Sequence, residues 1–389
     1  MDKKKQVVLS DFQILRPEYE STQEETLHWL LAAHTKAEEG KGGNEWTEEL
    51  QKSFQDKLQE RLWHVACKPD KISKRGHAIP DFLHRDWKSM EIYSLEKEPA
   101  GANLSLRQKA FDGIAEKVFA RYYATEDSPP HDLIHVTCTG YVAPSGAQKL
   151  VSQKNWGDAT TVTHAYHMGC HGAISALRIA NGFVQDGSEE KRADIVHTEI
   201  CSLHTNPSMH GSDQLVAQSL FADGFIKYSA HFGEEVQKPH LKILAVHEKI
   251  IPNSTNAMTW NLADWGFQIS LAKEIPVLIA RALPSYMELL CKKGGKKLED
   301  VVAKAYFAIH PGGPKILQQI QDFFHLTEGQ IKTSRDILYR YGNMSSATIP
   351  HIWESLLQDK TVPKGSLVVS LAFGPGLSIC GALLEKGGG

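Results

Sequence analysis

A cysteine set among small residues carries the most reactive chemistry in this chain. In Ala165-Tyr166-His167-Met168-Gly169-Cys170-His171-Gly172-Ala173 the Cys170 thiol precedes a run where Gly172, Ala173, Ala176 and Ala180 spell a tightly packed helix. A thiol at such a helix N-terminus faces backbone N–H groups and the positive end of the dipole, which favour thiolate. A free cysteine titrates at about 8.5, so that help matters to a nucleophile near neutrality. Two further stretches suit the same work. Ile309-His310-Pro311-Gly312-Gly313-Pro314 puts a histidine at a strand end beside a Pro/Gly-rich turn. Tyr341-Gly342-Asn343-Met344-Ser345-Ser346-Ala347 puts an asparagine in a glycine-flanked turn. Taken singly, each is an ordinary core or turn residue. Together, thiolate, imidazole and amide suit acyl transfer followed by carbon–carbon bond formation. The sulfur takes the acyl group while two donors hold a developing enolate or oxyanion.

The elements that must position these residues alternate between strands and helices. Val7 to Leu9 reads as a first strand. Ser21-x-x-Glu24 fits a capping box before a helix with Leu27, Leu30, Leu31 and His34 on one face. Trp46 to Trp63 and Leu104 to Ala124 read as helices, and Pro69 to Arg75 as a basic, solvated loop. Strands are expected at Leu133–Cys138, Thr160–Tyr166, Ala193–Ile200 and Phe225–Ala230, with Cys170 in the turn after the second. The polar, Pro-terminated stretch 231–239 marks a junction, dividing the chain into 1–235, which carries the cysteine, and 236–389, which carries the histidine and asparagine. The second part repeats the rhythm: a strand at Leu241–Glu248, a turn region at Trp260–Ile269 and helices at Lys273–Leu290 and Leu298–Val302. Then come a strand at Ala305–Ile309, helices at Gly313–Phe324 and Ser334–Tyr341, and a strand at Val368–Leu371 turning at Gly374-Pro375-Gly376. This is the pattern of an α/β fold built from two similar βα halves.

The totals exclude several classes. At 389 residues with 41% hydrophobic and 23% charged residues the chain has ample core for an ordinary globular protein. A net charge of -3 argues for neither nucleic acid nor an anionic membrane as partner. Six dispersed cysteines without C-x-x-C spacing indicate neither a disulfide framework nor zinc. His164, His167 and His171 crowd Cys170, but no carboxylate accompanies them and a cation would compete for the thiolate, so no metal is expected. The apolar stretch Ile275–Leu290 is interrupted by Arg281, Pro284 and Glu288, so it reads as a core helix and no membrane span is expected. A reduced, cytoplasmic protein is the default.

The stretches around Cys170, His310 and Asn343, with Ala372-Phe373-Gly374-Pro375-Gly376, resemble signatures of the type III polyketide synthases. These are the chalcone-synthase-like branch of the thiolase superfamily, here with a bacterial-type pattern. The resemblance covers roughly Leu104 to Glu385 and is densest in the last 80 or so residues. It implies a thiolase-like α-β-α-β-α layered fold of two similar halves with the active site between them, in a homodimer. It also implies that Cys170 accepts the acyl group, that His310 and Asn343 serve decarboxylation and the oxyanion, and that Phe221 in Ser219-Leu220-Phe221-Ala222-Asp223-Gly224 is an apolar gate. Ser345, Phe373 and Gly374 fall in substrate-contacting signatures, and Lys71, Lys74 and Arg75 are the candidates for the CoA phosphates. Trp260 falls where plant enzymes carry a glycine, Ile269 where they carry a second gating phenylalanine, and His204 where they carry a cavity threonine. Ala372 replaces the first glycine of the last signature. The implied reaction is decarboxylative Claisen condensation of acyl-CoA with malonyl-CoA, with an acyl carrier protein as alternative carrier and CoA thioesters as substrates rather than any cofactor. Two alternatives share the residues or the fold: a single-round ketoacyl synthase III-like condensing enzyme or acyltransferase, and a catalytically silent scaffold or partner protein.

Overall fold

The apolar run at the N-terminus opens strand β1 (Val7–Leu15), and the chain then turns through β2 (Tyr19–Thr22) into helix α1 (Gln23–Gly42). The computed structural model describes residues 6–96, 98–186, 191–233 and 237–388. The junction expected at residues 235 and 236 lies outside them. The capping box forms one residue later than the sequence suggests. Thr22 Oγ1 accepts from Glu25 N at 3.1 Å and Glu25 accepts from Thr22 N at 2.8 Å. Ser21 is unavailable because it pairs with Arg75 in a strand and its hydroxyl meets Thr26 and His77.

Helix α2 (Glu48–Val65) is capped by Thr47 and leads to β3 (Lys74–His77). That strand overturns the solvated loop expected there, since β3 pairs antiparallel with β2 and Arg75 is only 2% exposed. Helix α3 (Leu104–Tyr122), capped by Asn103, precedes β4 (Asp132–Thr137). The polar stretch after it is α4 (Gly146–Gln153), started by a Ser145/Gln148 capping box. Next come β5 (Thr161–Tyr166), α5 (Gly172–Gln185), β6 (Ala193–Glu199), α6 (Ser212–Leu220), β7 (Gly224–Phe232) and β8 (His240–Ile250). The expected turn region at 260–269 is instead a hairpin, β9 (Met258–Ala263) and β10 (Gly266–Leu271), with Trp260 paired to Ile269. Helices α7 (Ile275–Lys293) and α8 (Leu298–Lys304), strand β11 (Tyr306–Ile309), and helices α9 (Pro314–Phe324), α10 (Glu328–Tyr341) and α11 (Thr348–Gln358) follow. The chain closes with β12 (Leu367–Gly374) and β13 (Ser378–Gly387).

Strand pairing repeats itself. In one sheet the order is β5-β4-β6-β7-β1, and in the other β11-β12-β13-β8. Strand β6 runs parallel to β4 and antiparallel to β7, which is antiparallel to β1. Likewise β12 runs parallel to β11 and antiparallel to β13, which is antiparallel to β8. A short junction, Val8↔Lys242 and Leu9↔Leu241, joins the two into one continuous mixed sheet.

Side chains alternate across each strand, and this sorts the core into three apolar layers. Ile134, Val136, Ile195 and Ile226 pack with Ala173, Leu177 and Ala180 of α5 and with Ile349, Ile352 and Trp353 of α11. Their neighbours Leu133, Val196 and Phe225 point the other way, onto α1 and α3. Val369 and Leu371 face α7, α9 and α10, whereas Val368 and Ala372 face inward. Two central helices therefore lie between the sheets with further helices outside each, which is the five-layer arrangement that the resemblance implies.

Trp353 is wholly buried in the central layer, edge-on to Tyr228, and its indole N–H donates to Ser370 Oγ at 2.7 Å. Trp353→Ala should cost ~3–5 kcal/mol through the cavity it leaves, read as a lower denaturant midpoint. A loss under ~1 kcal/mol would mean that the central layer does not hold the sheets together.

Candidate active site

The reactive side chains collect just past the C-terminal ends of parallel strands, the usual place for a site in such sheets. Strand β5 runs into a short 3-10 turn, Gly169–His171, that carries Cys170 directly before α5. Gly169 has φ +75°, and a Cβ there would stand 2.4 Å from Pro375 Cδ, so both conformation and space demand glycine. Strand β11 ends at Ile309 and delivers His310. Asn343 arrives differently, from the end of α10, in a turn that precedes α11 as the Cys170 turn precedes α5. Asn343 Oδ1 accepts from Ser345 N at 2.9 Å. This bond supports Ser345 in a left-handed conformation, φ 49°. The Ser345 hydroxyl then stands 3.9 Å from Cys170 Sγ.

Cys170, Ser345, Phe221, His204, Trp260 and Ile269 line one cavity, whose empty volume including its mouth is about 820 Å³. Six sequence candidates from five separate segments thus meet. Asn343 and His310 are both about 1% exposed and are not among the residues that line the cavity. The Asn343 backbone is zipped to the gate segment: its N–H donates to Leu220 O at 3.0 Å, and its carbonyl accepts from Ala222 N at 2.8 Å. Both ring nitrogens of His310 are buried without a hydrogen-bond partner among the described residues. An unpartnered buried imidazole is costly unless something else claims it.

Phe373 is buried on the outer face of β12, and Gly374 makes room for the His171 ring, so the residue of that loop at the cavity is Pro375. Lys71 and Lys74 are exposed and paired with Asp70 and Glu20, away from the cavity wall. Arg75 is turned inward. Its Nη1 donates to Gln218 O at 2.7 Å and Phe221 O at 2.8 Å, so it fixes the backbone of the gate. The three histidines near the nucleophile diverge. His164 meets Ser145 Oγ and His167 donates to Trp260 O, while His171 points away toward β8 and β13.

The aromatic wall is locked by polar bonds. His204 Nδ1 accepts from Phe267 N at 3.0 Å, so its Nε2–H donates to Thr139 O at 2.8 Å. The ring stacks on Phe267 at 4.5 Å, and the Trp260 indole N–H donates to Cys138 O at 2.6 Å. Cys138, Thr139, Cys201 and Phe267 line the cavity too, and reading the motifs missed them. Position was the available signal: the first two follow β4 and Cys201 lies just beyond β6, both parallel strands. Buried Glu199 accepts from Cys138 N at 3.0 Å, Thr139 Oγ1 at 3.1 Å and Ser346 Oγ. Burial pushes its carboxyl up to about 7 despite those donors.

Electrostatics correct one expectation. Cys170 keeps part of its surface open to the cavity but is otherwise enclosed, and burial pushes its thiol up to about 12. The Ser345 contact pulls it down and nearby Glu199 pushes it further up. Burial also holds His310 down at about 3. Burial therefore favours a neutral thiol and a neutral imidazole over the thiolate expected from the sequence.

Comparison with known proteins fits this geometry. Over almost its whole length the chain has the fold of solved type III polyketide synthases. The type III domain of Steely1, a type I/III hybrid from Dictyostelium, superposes with a TM-score of 0.79 at 22% identity, covering 98% of this chain and 99% of that one. The 1,3,6,8-tetrahydroxynaphthalene synthase of Streptomyces coelicolor gives 0.77 at 21% identity, covering 98% and 100%. Residues 242–386 match the C-terminal domain of chalcone and stilbene synthases. A polyketide synthase of Dictyostelium discoideum is 31% identical over 257 residues, which is 65% of this chain but 8% of that much longer protein. The chain thus shares the fold of type III polyketide synthases, and its C-terminal part matches the chalcone and stilbene synthase family.

With the thiol raised by burial, the protonated form dominates until strongly alkaline pH. Alkylation of Cys170 by iodoacetamide should accelerate about tenfold per pH unit from pH ~7 to ~9, followed by peptide mass spectrometry. A plateau reached by pH ~7 would mean a preformed thiolate and would contradict the neutral resting site.

Proposed function

We propose that the protein is an acyltransferase that loads an acyl group from a CoA thioester onto Cys170 and extends it by decarboxylative Claisen condensation with malonyl-CoA. The observation that carries this reading is the placement of Cys170 Sγ in the cavity, 3.9 Å from Ser345 Oγ and walled by Phe221, His204, Trp260 and Ile269. The match of residues 242–386 to the chalcone and stilbene synthase C-terminal domain supports the same chemistry.

In the loading step the Cys170 thiol gives up its proton and its sulfur attacks the thioester carbon, expelling CoA as thiol. His310 is the assigned proton acceptor, supported by its two unpartnered ring nitrogens. Malonyl-CoA then loses CO2, and the enolate left behind attacks the Cys170 thioester, releasing the sulfur. Asn343 is the assigned enolate donor: its Oδ1 is already occupied by Ser345 N, so its amide N–H end remains to donate. Donors held in place before charge develops stabilise it without reorganisation. Phe221, with its carbonyl clamped by Arg75, forms the apolar gate. Acyl-CoA, malonyl-CoA and, as alternative carrier, an acyl carrier protein are the partners on this reading. Six unpaired cysteines suit a reducing cytoplasm, and no helix among the described residues is long and apolar enough to cross a membrane.

Cys170→Ala should abolish the mass gained from acyl-CoA in intact-protein spectrometry. Asn343→Ala should slow malonyl-CoA decarboxylation by about 10²-fold or more while loading changes far less. Acylation retained in Cys170→Ala would overturn the nucleophile assignment. Complete failure of the native protein to load any acyl-CoA would favour a silent scaffold. Product mass with excess malonyl-CoA separates a single condensation from iterative extension.

The homodimer is proposed from β5, which lies at the open edge of the sheet with several half-exposed or exposed residues. Such an edge needs covering, and a second copy can supply it. Sedimentation equilibrium should return twice the chain mass. A monomer at micromolar concentration would remove this part of the proposal.

A further inference from the structure

The histidine that follows the nucleophile does not face the cavity. His171 is 4% exposed, and its Nδ1 is buried without a hydrogen-bond partner among the described residues. The ring fills space that Gly374 leaves open, since a Cβ at that position would stand 2.2 Å from Nδ1. Close to the ring are Glu248 of β8 and Cys380 of β13, directly opposed cross-strand partners. A ring nitrogen of His171, a carboxylate oxygen of Glu248 and the Cys380 sulfur all lie within 4.8 Å of one another. No spacing motif announces this group, because its members come from positions 171, 248 and 380.

We propose that His171, Glu248 and Cys380 bind a thiophilic divalent transition metal of the zinc class, with water completing the coordination. A thiolate, an imidazole and a carboxylate select such an ion over magnesium or calcium, which prefer oxygen alone. Metal–ligand bonds of about 2.0–2.3 Å put neighbouring ligand atoms ~3.5 Å apart, so the three side chains must close by roughly 1 Å. On binding, the Cys380 S–H bond breaks, a sulfur–metal bond forms and the proton leaves to solvent. Thiolate and carboxylate together neutralise the dication. Arg178 Nη1 holds Glu248 Oε2 at 2.5 Å, which leaves Oε1 for the metal. Because His171 follows Cys170, the ion would tie the nucleophile turn to two strands of the opposite sheet. The site is independent of the proposed condensation.

The full chain, freed of metal by chelation and then titrated with Co2+, should bind one equivalent and develop a thiolate-to-cobalt charge-transfer band that Zn2+ abolishes by displacement. Cys380→Ser should remove the band, and Glu248→Gln should weaken Co2+ binding about tenfold or more. Cys170→Ser should leave both band and affinity unchanged. The assignment is overturned by absence of the band in the native chain, by its survival in Cys380→Ser, or by its loss in Cys170→Ser. If Cys380→Ser does not fold, unchanged affinity in Glu248→Gln overturns it equally.

Discussion

Desolvation of the Cys170 sulfur governs the rest of this structure. The nucleophile sits in the turn before a central helix, and burial there raises the thiol against the pull of a nearby hydroxyl. Burial of this degree lowers the effective dielectric around the sulfur, so each fixed donor acts more strongly. Several other polar groups at the seam are bonded internally. His204 is bonded through both ring nitrogens, Trp260 through its indole N–H, and Glu199 through backbone and hydroxyl donors. His310 stands out against that background because neither nitrogen is used. Both nitrogens are thus free to be completed by a ligand or reacting atom.

The same seam couples gate, amide and nucleophile through backbone rather than through side chains alone. Arg75 binds the carbonyl of Phe221, the segment around Phe221 pairs with Asn343, and Asn343 sets the turn that aims Ser345 at Cys170. A shift in any of these elements would be felt at the sulfur. Arg75 therefore acts on the site as part of its frame.

Much of this could be read from residue order, and the failures have physical reasons. Strands β5 and β11 announced themselves by β-branched and apolar runs, and each ended where a glycine-rich turn was visible. This is why Cys170 and His310 were placed correctly on the chain. Helix α11 was not seen because eight of its eleven residues are buried, so no polar face marks a helical period, and Pro350 argues against a helix. Proline is tolerated there because the first turn needs no donor from it. Strand β13 was hidden by Gly381 and Ala382, poor strand formers whose small size lets neighbouring groups approach. Arg75 read as solvated because composition cannot show that β3 pairs with β2 and drives the guanidinium inward. Thr139 and Cys201 lacked any motif and are legible only from the topology that brings strand ends together.

The repeated pairing pattern explains why one residue set came from a strand and the other from a helix. Matching β6, β7 and β1 with β12, β13 and β8 also matches α5 with α11, the helices that immediately precede β6 and β12. The short turns in front of them, Gly169–His171 and Ser345–Ala347, become equivalent and touch one another. One of these positions holds the sulfur and the other holds the hydroxyl beside it, with Asn343 just upstream. The positive ends of two central helices thus converge on the point where negative charge would develop in an acyl transfer. A duplicated architecture gives that convergence without further design, since the symmetry that stacks the helices also brings their N-termini together. The halves differ in what each terminus carries, and that difference supplies the chemistry.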